Sequence, residues 1–155
     1  MEEITRSAPV AKIVSVIISH AIDGGASDIH IEPMEKEVLV RYRIDGILRD
    51  AMVLPKQAAD GIVARIKVLS NLKLDEHRLP QDGRFKVKFE NREIDFRVSS
   101  LPTNFGEKFV LRVLDKRSLS VGLNKLGFSE VPHRLFEEAI KTPFGIILVT
   151  GPTGS

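Results

Sequence analysis

Up to Leu114, six stretches of this chain read as β-strands, in two groups of three. In the clearest of them apolar and polar residues alternate, which sends successive side chains to opposite faces of a sheet. Asp28, His30 and Glu32 alternate with Ile29 and Ile31, and Pro33 stops the run. Val38, Val40, Tyr42 and Ile44 then alternate with Arg41, Arg43 and Asp45. The pair Asp45-Gly46 is a strong hairpin signal leading into Ile47 to Val53. In the second group, Phe85, Val87 and Phe89 alternate with Arg84, Lys86 and Lys88. Ile94, Phe96 and Val98 alternate with Asp95 and Arg97, an Asn91-Arg92 turn is expected between the two, and Lys108 to Leu114 is a further strand.

Two helices frame the first group. After Ser7 and Pro9, which suit a helix start, Val10, Ile13, Val14, Ile17 and Ala21 recur at helical spacing until Gly24-Gly25. Pro55 opens a second helix with Ile62, Val63, Ile66 and Leu69 on one face, and an irregular segment, Asp75 to Asp82, follows. The order helix, three strands, helix, three strands predicts an α+β domain built on a mostly antiparallel sheet flanked by helices.

The remainder has a different character. Ser, Gly and Asn break any periodicity across residues 117–127. A capped helix is expected over Ser129 to Ile140, with Leu135, Phe136, Ala139 and Ile140 as its apolar stripe; Pro143 and Gly145 stop it. Ile146 to Val149 are all apolar, as a buried parallel strand of an α/β core would be. The expected division is a tail over 1–7, a domain over 8–116, a linker over 117–127 and the start of a second domain over 128–155.

Composition narrows the function classes. The chain has 155 residues and no cysteine, so disulfides and thiolate metal sites are excluded. Lys and Arg outnumber Asp and Glu only 23 to 21, a poor basis for expecting nucleic acid. The apolar runs are too short to span a bilayer, and the acidic start Met1-Glu2-Glu3 lacks a signal-peptide pattern. A cytoplasmic chain is expected.

Chemistry first shows itself at IILVTGPTGS, Ile146 to Ser155, where an apolar strand runs into a Gly-rich turn. Glycines let backbone N–H groups curl around phosphates at a helix start. Gly151, Pro152, Thr153, Gly154 and Ser155 supply the first five positions of G-x-x-x-x-G-K-[S/T]. The lysine of that pattern would fall beyond Ser155, so the expectation is a nucleotide-binding loop cut before the residue that holds the phosphates.

Six strings occur in order: ASDIHIEP (Ala26 to Pro33), RYRIDG (Arg41 to Gly46), RLPQDGR (Arg78 to Arg84), FRVSSLPT (Phe96 to Thr103), GEKFVLRVLD (Gly106 to Asp115) and LVTGPTGS (Leu148 to Ser155). Together they resemble the secretion ATPase superfamily, closest to the assembly ATPases of type II secretion and type IV pili. The resemblance covers almost the whole chain. It implies a PAS-like domain, then the first helix and strand of a RecA-like motor domain truncated within its Walker A loop. It further implies ATP and Mg²⁺ as ligands of the parent protein, with the fragment alone inactive. A homohexamer working on an inner-membrane platform is implied as well. Two other readings stay open: a non-catalytic PAS-like interaction module, and part of a conjugation or type IV secretion ATPase.

The resemblance also implies that Arg97 and Arg112 reach toward the nucleotide's phosphates, with Arg84 as a third candidate on the same basic face. A guanidinium stays charged and offers a fork of donors to phosphate oxygens. The bland alternative for each is a cross-strand ion pair, for instance with Asp95 or Glu93. Asp28, His30 and Glu32 could mimic a metal site, but their spacing of about 7 Å along a strand suits pairing to Arg41 or Arg43 better. His20, His77 and His133 lack a partner pattern and are expected at the surface. The basic stripe of Lys86, Lys88, Arg97, Lys108 and Arg112 lacks interleaved exposed aromatics, which argues against single-stranded nucleic acid.

Overall fold

The computed structural model of the chain describes residues 2–115 and 122–151, with side chains from Pro9 onward. It divides into two units, one up to Leu114 and one from Asp115 onward.

The first unit contains helix α1 (Glu2–Asp23), strands β1 (Asp28–Pro33), β2 (Glu37–Ile44) and β3 (Ile47–Pro55), helix α2 (Ala59–Ser70), and strands β4 (Gln81–Phe89), β5 (Arg92–Thr103) and β6 (Gly106–Leu114). The six strands form one antiparallel sheet in the order β3-β2-β1-β6-β5-β4. Each group of three is a meander, and β1 pairs with β6 to join them at the centre. The chain therefore leaves one edge at β3 and re-enters at the other edge as β4, with α2 between them. The α+β expectation stands.

The period-two pattern decides which face is dry. Ile29, Ile31, Val38, Val40, Tyr42, Phe96, Val98, Phe109 and Leu111 are buried in one cluster with Val14, Ile17, Ile18 and Ala21 of α1 and Ile62 and Ile66 of α2. Fully burying side chains of this kind stabilises by roughly 1.5–3 kcal/mol each. Phe85 and Phe96 stack across β4 and β5 with ring centroids 4.9 Å apart. Tyr42 lies in this core and donates its hydroxyl to the Ile17 carbonyl at 2.9 Å; burial pushes its pKa up to about 12. The alternate residues of the same strands form the other, polar face, and the candidate site lies there.

Turns follow from their residues. Asp45 and Gly46 both adopt positive φ, as the tight hairpin between β2 and β3 requires. Gly83, in RLPQDGR, lies so close to α2 that a Cβ there would sit 2.5 Å from the Ser70 carbonyl oxygen. Two boundaries differ from expectation. Helix α1 begins before Ser7 and runs through Pro9, which lacks an N–H and so gives up one intrahelical hydrogen bond near the helix start. The β4–β5 turn is Glu90-Asn91, one residue earlier than expected, because the positive φ of the turn falls at Glu90.

In the second unit, helix α3 spans Glu130–Ala139 after a short 3₁₀ turn at Leu123–Lys125. Ser129 occupies the N-cap position but its side chain makes no capping hydrogen bond. Phe128 stacks on Phe136 at 5.6 Å, while Leu135 and Ile140 remain exposed. The strand expected at Ile146 to Val149 is not formed. A parallel strand needs neighbours to satisfy its N–H and C=O groups, and no other strand exists among the described residues of this unit. Phe144, Ile146, Leu148 and Val149 are accordingly more than four-fifths exposed.

Candidate functional site: an arginine row across the sheet

Strand register brings the three expected arginines together. Arg84 of β4 lies opposite Arg97 of β5, and Arg97 lies opposite Arg112 of β6. The row continues through Asp28 of β1 to Arg43 of β2. Five strands thus contribute one residue each, with charges in the order plus, minus, plus, plus, plus. Like charges directly opposite each other in a sheet are destabilising, typically by a few tenths of a kcal/mol to about 1 kcal/mol.

The partners are unevenly shared along this row. Asp28 is buried and accepts from Arg112 Nε at 3.1 Å and from Ser27 Oγ at 2.9 Å, with Arg43 Nε 3.5 Å away. Arg43 also donates from an Nη to the Gly46 carbonyl at 2.9 Å. Arg97 and Arg84 are exposed and form no ion pair or hydrogen bond among the described residues. Among the described residues Arg97 makes no ion pair to Asp95 or Glu93 of the kind that would have made it a purely structural residue; Lys86 lies 3.5 and 2.5 Å from those two carboxylates. For Arg112 the bland reading holds in part: it pairs, but with Asp28, and its side chain stays 59% exposed.

Beside Arg84 and Arg97 the surface dips into an open cleft of about 580 Å³, also bordered by Lys86, Asp95 and Leu114. Its two unpaired guanidinium groups make it suited to an anion with several oxygens.

Around β1 the charges of the polar face are paired. Glu32 takes Arg41 at 2.5 Å and Lys108 at 2.7 Å. Burial alone would raise Glu32, but the hydrogen bonds and charges of Lys108 and Arg41 outweigh it and hold the carboxyl below its ordinary value. His30, whose Nδ1 is buried without a hydrogen-bond partner, is lowered from its ordinary value by that burial and by Lys108. The D-x-H-x-E string is thus an ion-pair cluster, as expected from Arg41 and Arg43. No group of His, Asp or Glu fit to hold a metal exists among the described residues.

A second charge cluster had no signal in the sequence. Lys67 of α2, fully buried, lies 2.7 Å from Glu107 Oε2 and donates to the Glu76 carbonyl at 2.6 Å. His77 is exposed as expected, yet it is not without a partner: its Nδ1 is 2.6 Å from Glu107 Oε2. These contacts tie the segment before β4 to the helix and the sheet. The i, i+40 spacing of Lys67 and Glu107 carries no periodicity that a sequence reading could use.

Of the expected phosphate loop, Gly151 is described and exposed, whereas Pro152, Thr153, Gly154 and Ser155 lie outside the described residues. No helix of the described residues is long and apolar enough to cross a membrane.

The chain matches the family described as Type II/IV secretion system protein over residues 3–155. It is 49% identical, over its full length, to the Type IV pilus assembly ATPase PilB of Myxococcus xanthus, covering 28% of that protein. It is 48% identical over 96% of its length to the Type II secretion system protein E of Dickeya dadantii, covering 30% of it. The Type II secretion system ATPase E of Vibrio cholerae is 44% identical over 96% of the chain and 29% of its own length. The chain spans under a third of the length of these relatives. Matched over nearly every residue, the chain belongs to the type II/IV secretion system protein family.

Proposed function

We propose that this chain is part of an ATPase that drives type IV pilus assembly or type II protein secretion, and that its arginine row binds the nucleotide's phosphates. The observation that carries the reading is the register of Arg84, Arg97 and Arg112, three cations side by side with an acid at one end only. Such a row costs the free protein repulsion and gains energy when phosphate oxygens lie on it. The identities to two kinds of assembly ATPase support the same assignment.

On this reading residues 8–116 form the PAS-like domain, residues 117–127 the linker, and residues 128–155 the opening of the RecA-like motor. Gly151 to Ser155 begin the Walker A loop, whose backbone N–H groups would cradle phosphates. On this reading the Mg²⁺ that accompanies ATP would be held largely by groups of the motor domain that lie outside this chain. The working protein is a cytoplasmic homohexamer that passes its motion to an inner-membrane platform. The reading does not include nucleic acid as a direct ligand, because Phe85 and Phe96, which alternate with the arginines along β4 and β5, are buried rather than available for stacking.

Phosphate release from ATP tests the assignment. The full-length protein should turn over ATP, and the 155-residue chain should not exceed a buffer blank. A full-length protein without hydrolysis would overturn the proposal.

A further inference from the structure

Asp28 and Arg112 stand in a relation that ordinary ion pairing does not require. Arginine meets a carboxylate most strongly through two parallel bonds from its fork of terminal nitrogens. Here the carboxylate takes Nε, at 3.1 Å, and among the described residues neither Nη of Arg112 is engaged. The carboxylate itself is held from elsewhere. It is only 3% exposed, Ser27 Oγ donates to its other oxygen at 2.9 Å, and Arg43 Nε lies 3.5 Å from that same oxygen. Arg43 is in turn fixed to the hairpin by its bond to the Gly46 carbonyl. Two groups thus hold a buried acid, and that acid holds one nitrogen of an exposed arginine whose other two are unengaged among the described residues.

We propose that Asp28 is the positioning residue for Arg112: it fixes the guanidinium by Nε and leaves both Nη groups free as a preset fork for the phosphate oxygens of a nucleoside triphosphate. Arg97 and Arg84 have no such anchor, so only Arg112 meets the ligand already oriented. The consequence is a division of labour within one row, one arginine pre-aimed and two ordered by the ligand. A donor held in place before reaction loses little freedom when charge develops opposite it, so the benefit falls on kcat more than on KM. The inference rests on the phosphate-binding reading of the row.

A double-mutant cycle in a full-length family ATPase carrying this segment tests it. Asp28→Asn should lower kcat by roughly tenfold to a hundredfold, the range a misplaced group costs, with a smaller change in KM. Arg112→Gln should lower kcat as well, and in that background Asp28→Asn should have no more than about a twofold further effect. If Asp28→Asn costs the same factor with and without Arg112, the acid acts on something else and the inference fails while the nucleotide reading stands. If Arg112→Gln leaves kcat unchanged, the nucleotide reading of this arginine falls first.

Asp28→Glu guards against a variant that simply fails to fold. It keeps the charge facing Arg43 and Arg112 but moves the carboxylate by one methylene, so kcat should fall while thermal unfolding of the 155-residue chain is retained. Full activity in Asp28→Glu would contradict the inference, because charge alone would then suffice.

Discussion

Lys67 and Arg97 are both cations of the first unit, and their surroundings are opposite. Lys67 is fully buried, with a carboxylate at 2.7 Å and a carbonyl at 2.6 Å. Arg97 lies at the surface between two more arginines and has no acidic partner among the described residues. Taking an ammonium out of water costs several kcal/mol, so Lys67 persists only because Glu107 offsets that cost. Arg97 avoids desolvation but receives nothing back from the fold. The pair teaches where to look for function in this molecule: charges that the fold has saturated hold it together, and charges it has left unsaturated are the ones available to an anionic ligand.

The sharpest test of the saturated side is removal of one partner. Lys67→Ala should cost about 3–5 kcal/mol, because Glu107 would be left buried without its cation. Urea unfolding of the 155-residue chain measures this, and a loss below about 1 kcal/mol would erase the contrast with Arg97. Replacing Lys67 and Glu107 together by methionine should recover much of the loss, since both buried charges go at once.

Close packing beside that cluster should give the next largest effect. Gly83→Ala places a methyl group 2.5 Å from the Ser70 oxygen and 2.7 Å from Leu72 Cδ2, so α2 and β4 must separate. A destabilisation of about 1–3 kcal/mol is expected by the same assay. Wild-type stability in Gly83→Ala would show that the segment tied down by Lys67 is looser than these contacts imply.

The paired half of the polar face has its own signature in pH. His30 is lowered from 6.5, so below that value the unfolded chain takes up a proton that the folded chain resists, and acid favours unfolding. Glu32 is lowered from 4.5, so the stability its ion pairs contribute is present above that value and is lost as the pH falls below it. His30→Gln should flatten the stability loss between about pH 7 and about pH 5, and Glu32→Gln the loss at more acid pH. An unchanged melting profile in both variants would remove this cluster from the saturated class.

Much of this was written in the sequence. Alternation placed four strands of the sheet and the buried Phe85 and Phe96, because a half-buried strand must carry that pattern, and the Asp45-Gly46 turn placed β3. It also placed Arg97 and Arg112 on the outward face. What it did not carry was pairing between distant strands. Nothing local indicates that β1 sits between β2 and β6, so neither the Asp28–Arg112 contact nor the unbroken row of arginines was legible. Lys67 and Glu107 were hidden for the same reason, and a lysine on an apolar helix face reads as a solvated one. Ile146 to Val149 illustrates the converse: its composition is that of a strand, but a strand exists only where partners do.

The smallest effect on folding should come from the unsaturated side. Arg84→Ala or Arg97→Ala should change stability by no more than about 0.5 kcal/mol, with the sign toward a gain as repulsion is relieved. That near-silence in folding makes activity the decisive readout. In a full-length protein carrying this segment, ATP turnover of Arg97→Ala should fall on the order of 10³-fold, as expected for an arginine that contacts a transferring phosphoryl group. Turnover within twofold of the unsubstituted protein would contradict the claim that this row recognises the nucleotide.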